Sequence, residues 1–292
     1  MAEKKVAFVG LGVMGYPMAG HLVAKNHDVI VYNRNAAKSL SWVKAHKNGA
    51  SAKIPREAAE GRDIVCLCVG NDDDVRSVVY GDDGVFAGMK KGAILVDHTT
   101  ASADLARELD AASKERGLTF IDAPVSGGQA GAENGMLTVM CGGSPESFEK
   151  AEPVMASYAR AVTLLGPAGS GQLTKMVNQI CIAGLVQGLA EGLSFAKRAG
   201  LPADLVVDVI SKGAAGSWQM ENRGKTMNAD KFDFGFAVDW MRKDLCICLA
   251  EANRNGARLP VTAVVDQFYK NIQALGGNRW DTSSLMRLLT KD

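Results

Sequence analysis

The sequence predicts an α/β domain with a doubly wound parallel sheet, followed by an all-α domain. Over roughly the first 165 residues, short β-rich segments alternate with helical segments, which is typical of right-handed βαβ crossovers in a parallel sheet. Beyond that point only helical patterns remain. The length of 292 residues also corresponds to about two domains of roughly 150 residues each. We therefore expect domains at 1–165 and 166–292.

Short runs of apolar and β-branched residues predict the strands of the first domain. These runs are Lys5–Gly10, Asp28–Asn33, Asp63–Val69, Ala93–Asp97, Thr119–Pro124, Leu137–Cys141 and Val162–Leu164. Helical patterns lie between the early strands, at Val13–Lys25, Ala36–Lys47, Asp73–Val79 and Ala103–Arg116. Alternation of this kind places helices on both faces of the sheet.

The second domain opens with a long helical run. From about Gln172 to Ala199 the chain lacks proline, and such a helix is on the order of 40 Å long at about 1.5 Å per residue. We expect it to bridge the two domains, with function in the cleft between them. Further predicted helices are Ala203–Ser211, Ala237–Asn255, Pro260–Leu275 and Thr282–Leu289. The long helix and the apolar second half also predict a homodimer or homotetramer.

Composition argues against several classes of partner. The formal net charge is +1, whereas nucleic acids and anionic membranes require clustered Lys and Arg. The six cysteines form no C-x-x-C pair and the four histidines no H-x-x-x-H pair, so neither a metal site nor a disulfide scaffold is expected. The N-terminus lacks a signal-peptide core, and the apolar stretch Ile180–Ala196 contains Gln187 and Glu191. We expect a cytoplasmic protein with no membrane span.

A glycine-rich segment follows the first predicted strand directly. Gly10-Leu11-Gly12-Val13-Met14-Gly15 matches G-x-G-x-x-G and opens a predicted helix. In dinucleotide sites the first glycine permits a tight turn, the second lets the backbone approach a pyrophosphate, and the third allows close helix–strand packing. The helix N-terminus attracts the phosphate charge. The segment therefore predicts a Rossmann-type cofactor domain; the alternative is a merely structural glycine turn.

The end of the second predicted strand bears on the choice of cofactor. NAD-preferring sites carry an acidic residue about 20 residues after the glycines, but this chain has Asn33-Arg34 there. Asn33 removes a carboxylate that would repel a 2′-phosphate, and the Arg34 guanidinium could hold that phosphate or stack on adenine. We expect NADP to be preferred over NAD, unless Arg34 is only a solvated turn residue.

Four sequence blocks occur in order along the chain. They are the glycine-rich segment, Asp122–Gly128 (DAPVSGG), Gly171–Gln179 (GQLTKMVNQ) and Lys243–Leu245 (KDL). Together they resemble the β-hydroxyacid dehydrogenase family, which includes 3-hydroxyisobutyrate dehydrogenases and tartronate semialdehyde reductases, over nearly the whole chain. The resemblance implies a catalytic acid/base at Lys175. It also implies a substrate carboxylate site at Ser126, Gly127 and Gly128, and a place for Lys243 beside cofactor and substrate.

Some positions depart from the family pattern. Many members end the third block in Asn-Asn, whereas this chain has Asn178-Gln179, as in the tartronate semialdehyde reductase branch. The resemblance implies a substrate contact at Asn178 and leaves the role of Gln179 open. Val69 stands where the family often has Leu-Pro, so that cofactor contact there would be through the backbone. The family's Asp-x-Ser-Thr pattern corresponds to Asp97-His98-Thr99-Thr100 here, so the resemblance implies a cofactor contact at Thr100.

Oxidation of an alcohol requires a base for the hydroxyl proton, since the nicotinamide takes only the hydride. Lys175 is the best candidate, and Asn178 lies three residues further along the same predicted helix, on the same face. A lysine with a pKa of about 10.4 is a weak base near neutral pH, but burial and a second cation, such as Lys243, lower that pKa. The alternatives are a surface role for Lys175, a solvated Lys243-Asp244 pair, and His98 as the base.

Aromatic residues of the second domain are candidates for the substrate pocket. Trp218 and the series Phe232, Phe234 and Phe236 are considered, although such spacing is more often that of core residues. The predicted function is an NAD(P)-dependent oxidoreductase that interconverts a small 3-hydroxy acid and its oxo or semialdehyde form. The substrate could be 3-hydroxyisobutyrate, serine, glycerate or 4-hydroxybutyrate. Two alternatives remain: a non-catalytic NADP-binding sensor or assembly module, and an enzyme like the imine reductases, which usually lack the lysine.

Overall fold

A mixed, mostly parallel sheet forms the centre of the first compact unit in the computed structural model, which describes residues 3–290. Its strands are β1 (Lys5–Val9), β2 (Asp28–Tyr32), β3 (Gly49–Ser51), β4 (Ile64–Leu67), β5 (Ile94–Asp97), β6 (Thr119–Asp122), β7 (Val125–Ser126), β8 (Leu137–Gly143) and β9 (Ala159–Gly166). Their order is β3-β2-β1-β4-β5-β6-β8-β7, with β9 beside β8. Because the chain moves outward from β1 on both sides, the strand order reverses there, where dinucleotides bind in such sheets.

Helices cover both faces of this sheet. They are α1 (Gly15–Ala24), α2 (Ala36–Ala45), α3 (Pro55–Ala59), α4 (Asp72–Val79), α5 (Val85–Gly88), α6 (Ala103–Glu115), α7 (Gly128–Glu133) and α8 (Pro145–Met155). Alternate residues of β1 belong to two separate cores, Val6 and Phe8 to one and Ala7 and Val9 to the other. Burial on both faces explains why the central strands read as continuous apolar runs.

The predicted fold class is confirmed, with one difference in strand direction. Strands β1 to β6 run parallel, but β8 pairs antiparallel with both β6 and β7. The sequence also did not predict β3, β7, α3, α5, α7, α8 or a helix of the second unit at Trp218–Asn228. Most of these elements are short, and their local pattern is too weak to identify them. The ends of the predicted strands shift by up to three residues.

The regular elements of the second unit are all helical among its described residues, apart from an isolated β-bridge between Ala237 and Asp281. It contains most of α9 (Ser170–Arg198), then α10 (Ala203–Ile210), α11 (Trp218–Asn228), α12 (Val238–Asn255), α13 (Pro260–Ala274), a 3₁₀ segment (Thr282–Met286) and α14 (Arg287–Thr290). Its core includes Val186 and Leu193 from α9, Met241 and Leu245 from α12, and Tyr269 from α13. Where one helix was predicted at Thr282–Leu289, the chain forms two short pieces.

Helix α9 contains the division between the two compact units, which falls between Lys175 and Met176. The predicted domain boundary lies at the end of the sheet, after residue 165. By length and composition alone this 29-residue helix could cross a membrane, but half of its most apolar window is buried inside the protein. Such burial is the pattern of a core helix.

Candidate active site

The three glycines of the G-x-G-x-x-G segment differ in what requires them. Gly10 has φ +99°, and a Cβ there would overlap the carbonyl oxygen of Cys68. A Cβ on Gly15 would overlap the carbonyl oxygen of Gly10. By contrast, apart from Gly12 itself and its two neighbours in the chain, no heavy atom of the described chain lies within 4 Å of the position that a Cβ on Gly12 would take. The protein's own packing requires Gly10 and Gly15, whereas Gly12 faces open space in which a pyrophosphate would fit.

The start of α1 fits an anion as well. Met14 occupies the N-cap position, and no side chain of residues 3–290 caps this end of the helix. The first turn carries no acidic residue within the described chain. Its N–H groups are therefore suited to a phosphate. Within the segment, Leu11 is buried and Val13 is exposed, so that Val13 is the side chain beside which a ligand would lie.

Asn33 and Arg34 have different structural roles at the end of β2. The Asn33 Oδ1 accepts a hydrogen bond from the Leu11 N–H at 2.9 Å, which fixes the glycine-rich segment. The Arg34 side chain is 86% exposed and its Nη1 lies 3.3 Å from the Asp74 Oδ1. Exposed ion pairs of this kind stabilise proteins by about 0–1 kcal/mol. The Arg34 guanidinium is therefore easily redirected to a ligand phosphate.

The carboxyl ends of β4 and β5 are joined by hydrogen bonds of Thr99, a residue that sequence reasoning missed. The Thr99 Oγ1 accepts from the Val69 N–H at 3.0 Å, and the Thr99 N–H donates to the Asp97 Oδ1 at 2.9 Å. The Val69 N–H is thus already bonded within the protein, which leaves the Val69 carbonyl as the backbone group for a cofactor. Thr100 follows at this edge and is half-buried.

His98 is buried and held at both ring nitrogens. Its Nδ1 lies 2.7 Å from the Ala123 carbonyl oxygen and its Nε2 lies 2.8 Å from the Tyr158 hydroxyl. Because a carbonyl only accepts, Nδ1 donates and Nε2 accepts from Tyr158. Burial lowers the pKa of His98 to about 4. His98 is thereby excluded as a base that contacts substrate, and the alternative to Lys175 fails on burial.

Two carboxyl groups lie side by side beneath this edge. Asp97 ends β5, Asp122 ends β6, and the two are direct partners in the strand register. Burial raises the pKa of Asp97 to about 7, and the charge of Asp122 adds to that shift. Burial also raises the pKa of Asp122 to about 6, although backbone N–H groups that bond to it oppose the shift. Both carboxyls accept backbone hydrogen bonds, which indicates a structural use.

Ser126 ends the two-residue strand β7, and the turn at Gly127 and Gly128 follows it. β7 runs in the same direction as β6, and both strands pair antiparallel with β8, because the chain reverses through α7 between β7 and β8. Gly127 and Gly128 have φ values of +128° and +61°, and no atom of the described chain lies within 4 Å of a Cβ on Gly128. His21 on α1 lies 2.9 Å from the carbonyl oxygen of Ala132, so the turn's helix is bonded to α1.

Lys175 is buried at the start of α9, with 7% of its surface exposed. This excludes the alternative of a solvated surface lysine. Three residues earlier, Gln172 is also buried, and its side chain bonds to the backbone of Thr99 and Ala101. The first turn of α9 is therefore attached to the segment that follows β5.

Polar residues of the second unit form a chain of contacts. The Asn178 Nδ2 donates to the Gln179 Oε1 at 2.7 Å, and the Gln179 Nε2 donates to the Asp244 Oδ2 at 2.6 Å. The Lys243 Nζ lies 3.1 Å from the Asp244 Oδ1. Gln179, whose role the sequence left open, is buried and orients Asn178. Asp244 is also buried, so the pair with Lys243 is not a solvated one.

Trp218 lies at the first residue of α11 and is 47% exposed. The Arg223 guanidinium lies 5.0 Å from its ring centroid and 4.6 Å from that of Phe234. Arg223 also pairs with the buried Asp281, with 3.3 Å between Nε and Oδ1. Phe232 is buried in the core of the second unit, which is the alternative that the sequence had favoured for these phenylalanines.

A surface cavity of about 550 Å³ in the first unit lies apart from these groups. Its lining comes from Asp110, Lys114, Thr119, Phe120, Gly143, Ser144, Pro145, Ser147, Leu164, Gly166, Pro167 and Ala168. It contains none of the predicted site residues. Among residues 3–290 there is no group of three or more His, Cys, Asp or Glu side chains arranged to hold a metal ion.

Two family models match the chain in succession. The NAD binding domain of 6-phosphogluconate dehydrogenase matches residues 5–166. The domain described as NAD-binding of NADP-dependent 3-hydroxyisobutyrate dehydrogenase matches residues 169–289. The glycine-rich segment thus lies in the first match, and Lys175, Asn178 and Lys243 lie in the second.

Individual proteins are similar over nearly the full chain. An uncharacterized oxidoreductase of Shewanella frigidimarina is 65% identical over 98% of both chains. The 2-hydroxy-3-oxopropionate reductase of Escherichia coli is 32% identical, covering 98% of this chain and 97% of that one. Among solved structures, Mycobacterium tuberculosis 3-hydroxyisobutyrate dehydrogenase with L-serine is 28% identical with a TM-score of 0.89, covering 99% of this chain and 100% of that one.

Proposed function

The chain belongs to the 3-hydroxyisobutyrate dehydrogenase family of β-hydroxyacid dehydrogenases, and from that premise we propose that it interconverts a small 3-hydroxy acid and its oxo or semialdehyde form. The observation that carries the proposal is the buried Lys175, whose helix turn is bonded through Gln172 to the segment after β5. A group that moves a proton must be held near the reacting atoms. A lysine in this setting meets that requirement.

In the proposed reaction, a bound nicotinamide cofactor supplies the hydride acceptor. The neutral Lys175 amine takes the proton of the substrate hydroxyl at Nζ, and the electrons of the broken O–H bond form the carbonyl. The hydrogen of the alcohol C–H bond leaves with its electron pair, as the hydride that the cofactor accepts. In the reverse direction, the Lys175 ammonium returns the proton to the carbonyl oxygen. The Ser126 hydroxyl and the N–H groups of Gly127 and Gly128 bind the carboxylate, and Asn178 orients the substrate.

We propose NADP as the preferred cofactor and NAD as a weaker one. Support comes from the exposed Arg34 guanidinium and from Asn33, which places no carboxylate at the end of β2. A guanidinium binds a phosphate with two parallel hydrogen bonds. Thr100, Lys243 and the Val69 carbonyl are the further cofactor contacts in this proposal.

A direct assay tests the reaction. Wild-type protein is mixed with NADP⁺ or NAD⁺ and with 3-hydroxyisobutyrate, L-serine, glycerate or 4-hydroxybutyrate, and the absorbance of reduced nicotinamide is followed. We expect turnover of at least one acid, faster with NADP⁺. L-Serine is included because the similar Mycobacterium tuberculosis enzyme was solved with it. Cofactor binding with no turnover would favour a sensor, and reduction of a cyclic imine in place of these reactions would favour an imine reductase.

Two glycine variants separate cofactor binding from folding. Gly12→Ala adds a methyl group where the described chain leaves open space, so we expect an unchanged melting temperature and weaker binding of NADPH. Residue 10 has φ +99°, and the added methyl group of Gly10→Ala would clash with the Cys68 carbonyl oxygen. We therefore expect a clear loss of stability. NADPH fluorescence titration and thermal melting measure the two effects. Unchanged NADPH affinity in a folded Gly12→Ala protein would contradict the proposed cofactor site.

We further propose that the protein is a homodimer or homotetramer. Large apolar side chains are exposed on the second unit, including Phe195 at 72% and Leu205 at 58%, and contact between copies of the chain would remove such side chains from water. The monomer mass is 30.9 kDa, so light scattering should give a multiple of it. Phe195→Asp combined with Leu205→Asp should lower that mass. A wild-type mass near one chain would refute the proposal.

A further inference from the structure

The carboxylate of Asp122 fixes the start of α9 on the end of β6. Its Oδ1 accepts from the Gly169 N–H at 2.8 Å, and its Oδ2 accepts from the Gln172 N–H at 2.9 Å. Glycines on two sides make room for it, because a Cβ on Gly142 or Gly171 would crowd the carboxylate oxygens. A negative acceptor at a helix N-terminus is well suited to the free N–H groups there. The first turn of α9 is thereby fixed in position.

The Gln172 side chain joins the same turn to the cofactor edge of the sheet. Its Nε2 donates to the Thr99 carbonyl at 2.7 Å, and its Oε1 accepts from the Ala101 N–H at 3.1 Å. Only 1% of Gln172 is exposed. Thr99 in turn accepts from the Val69 N–H. One buried amide therefore connects α9 with the carboxyl ends of β4 and β5.

Lys175 follows Gln172 by three residues on α9, which places the two on one helix face. We propose that Asp122 and Gln172 are positioning residues for Lys175, holding its helix turn in register with the strand ends where the cofactor binds. This inference rests on the proposed function. Neither Asp122 nor Gln172 contacts a reacting atom in the proposed reaction. Their effect is to keep the Lys175 amine at the right place, and displacement of a catalytic group by about 1 Å can cost on the order of 100-fold in rate.

The chemistry of the Gln172 amide supplies a specific test. The two bonds require one donor and one acceptor, and an amide provides both. In Gln172→Glu the protonated acid can still donate to the Thr99 carbonyl and accept from the Ala101 N–H. The ionised form has no donor and opposes the carbonyl. Burial beside Asp122 and Asp97 raises the pKa of the introduced carboxyl, so the variant should work best at low pH.

The readout is kcat at saturating substrate and cofactor, as a ratio of variant to wild type. An ionised acid at residue 172 also shifts the pKa of Asp97 and Asp122, so Gln172→Glu is compared with Gln172→Met, which contains both carboxyls and no introduced acid. For Gln172→Glu we expect the ratio to fall about tenfold or more as the pH rises and the acid ionises, the loss of a buried donor being worth about one decade. Gln172→Met removes both bonds without a charge, so its ratio should be low at every pH. Gln267→Glu, at an exposed position on α13, should stay near one.

Further measurements keep the outcomes separate. NADPH affinity of Gln172→Met should remain within about threefold of wild type, because the loss is one of positioning. Asp122→Asn keeps only one acceptor oxygen, and we expect it to lower kcat in the same way. This variant replaces Gln172→Glu in the test if Gln172→Glu does not fold. If the wild type is active, and folded Gln172→Met and Gln172→Glu both keep a kcat ratio near one at every pH, the positioning role alone is overturned. Inactive wild type on every acid would overturn the proposed function, and the inference with it.

Discussion

Both compact units bury hydrogen-bonded polar groups, but they differ in how many large apolar side chains they expose. In the first unit, the strand ends carry buried polar groups, Asp97, His98, Thr99 and Asp122, each hydrogen-bonded within the protein. In the second, large apolar side chains are exposed along α9, α10 and α13, and they are Val177, Leu185, Phe195, Leu205, Val209, Ile210, Val261 and Val264. The longer first unit exposes few such residues among those that the structure describes.

This difference is consistent with the proposed roles, in which the first unit holds groups in fixed positions and the second provides a surface for assembly. A buried, satisfied hydrogen bond network holds groups in a single arrangement, because breaking one bond leaves a buried polar group unpaired. An exposed apolar face binds another surface without fixing single atoms so closely. Changes in the first unit should therefore alter rate, cofactor choice or pH dependence, whereas surface changes in the second should alter assembly.

The largest effect is expected at Lys175. Lys175→Ala should bind NADPH almost normally and lose at least about 100-fold in kcat, the low end of what a positioned acid or base contributes. Lys175→Arg should not restore activity, since a guanidinium keeps its proton at any working pH. Lys150→Ala, at an exposed lysine of α8, is the control and should behave as wild type. Near-native kcat in Lys175→Ala would show that another group carries the proton.

Arg34 should show the next largest effect, confined to one cofactor. Arg34→Ala should lower kcat/KM for NADP(H) by about 10- to 100-fold, the worth of a charge-assisted hydrogen bond of about 1.5–3 kcal/mol. With NAD(H) kcat/KM should hardly change. Asp74→Asn removes the partner of Arg34 and should keep the preference for NADP(H). Equal use of both cofactors by the wild type would remove the basis of this assignment.

Asn178 tests whether the second unit also contributes a precise contact. Asn178→Ala should raise the KM for the acid and lower kcat/KM by about fivefold, since one orienting hydrogen bond of about 1 kcal/mol is lost. NADPH affinity should stay the same. Asn222→Ala changes an amide whose bond is to the Trp218 carbonyl of its own helix, and it serves as the control. If both variants lowered kcat/KM equally, the effect would be general to the unit.

A separate effect, on stability and not on rate, is expected from pH in the first unit. The pKa of Asp97 is about 7 in the folded chain against 3.8 ordinarily, so between these values the folded state binds a proton that the unfolded state lacks. Stability from this group is present below about pH 4 and is lost as the pH rises through about 7, at no more than about 1.4 kcal/mol per pH unit. His98 acts with the opposite sign, since its pKa is lowered from 6.5 to about 4.

Asp97→Asn cannot titrate at this position, so its free energy of unfolding should decline less between about pH 4 and about pH 7 than that of the wild type. Urea denaturation at a series of pH values measures both proteins, and His98 and Asp122 are common to them. Parallel curves for the two proteins would mean that Asp97 does not titrate in this range.

Much of the fold was predictable because its central strands are continuous apolar runs. β7 and α7 were missed, since both depend on the positive φ of Gly127 and Gly128 and on the return of β8. α8 carries a usable signal, with Ser144 as N-cap and Pro145 in the first turn, but Pro153 within it argued against a helix. Local patterns therefore suffice for the long elements, and tertiary pairing decides the short ones.

In the candidate site, residue types were easier to predict than their surroundings. The glycine-rich segment could be singled out from its spacing and residue types, and Lys175 from the resemblance of its block to the family. Thr99 and Gln172 could not, since their roles depend on which backbone groups approach them in the folded chain. The burial of His98 is likewise a property of the packed sheet.

The contrast among Gly10, Gly12 and Gly15 has a consequence for the history of such sequences. Suppose that a duplicated copy of the gene lost its cofactor and drifted. Packing against Cys68 and Phe8 would still select for Gly10 and Gly15, whereas nothing within the described chain would retain Gly12. A search for the full G-x-G-x-x-G pattern mixes these two pressures. Among the three glycines, only Gly12 would therefore distinguish an active enzyme from an inactive descendant.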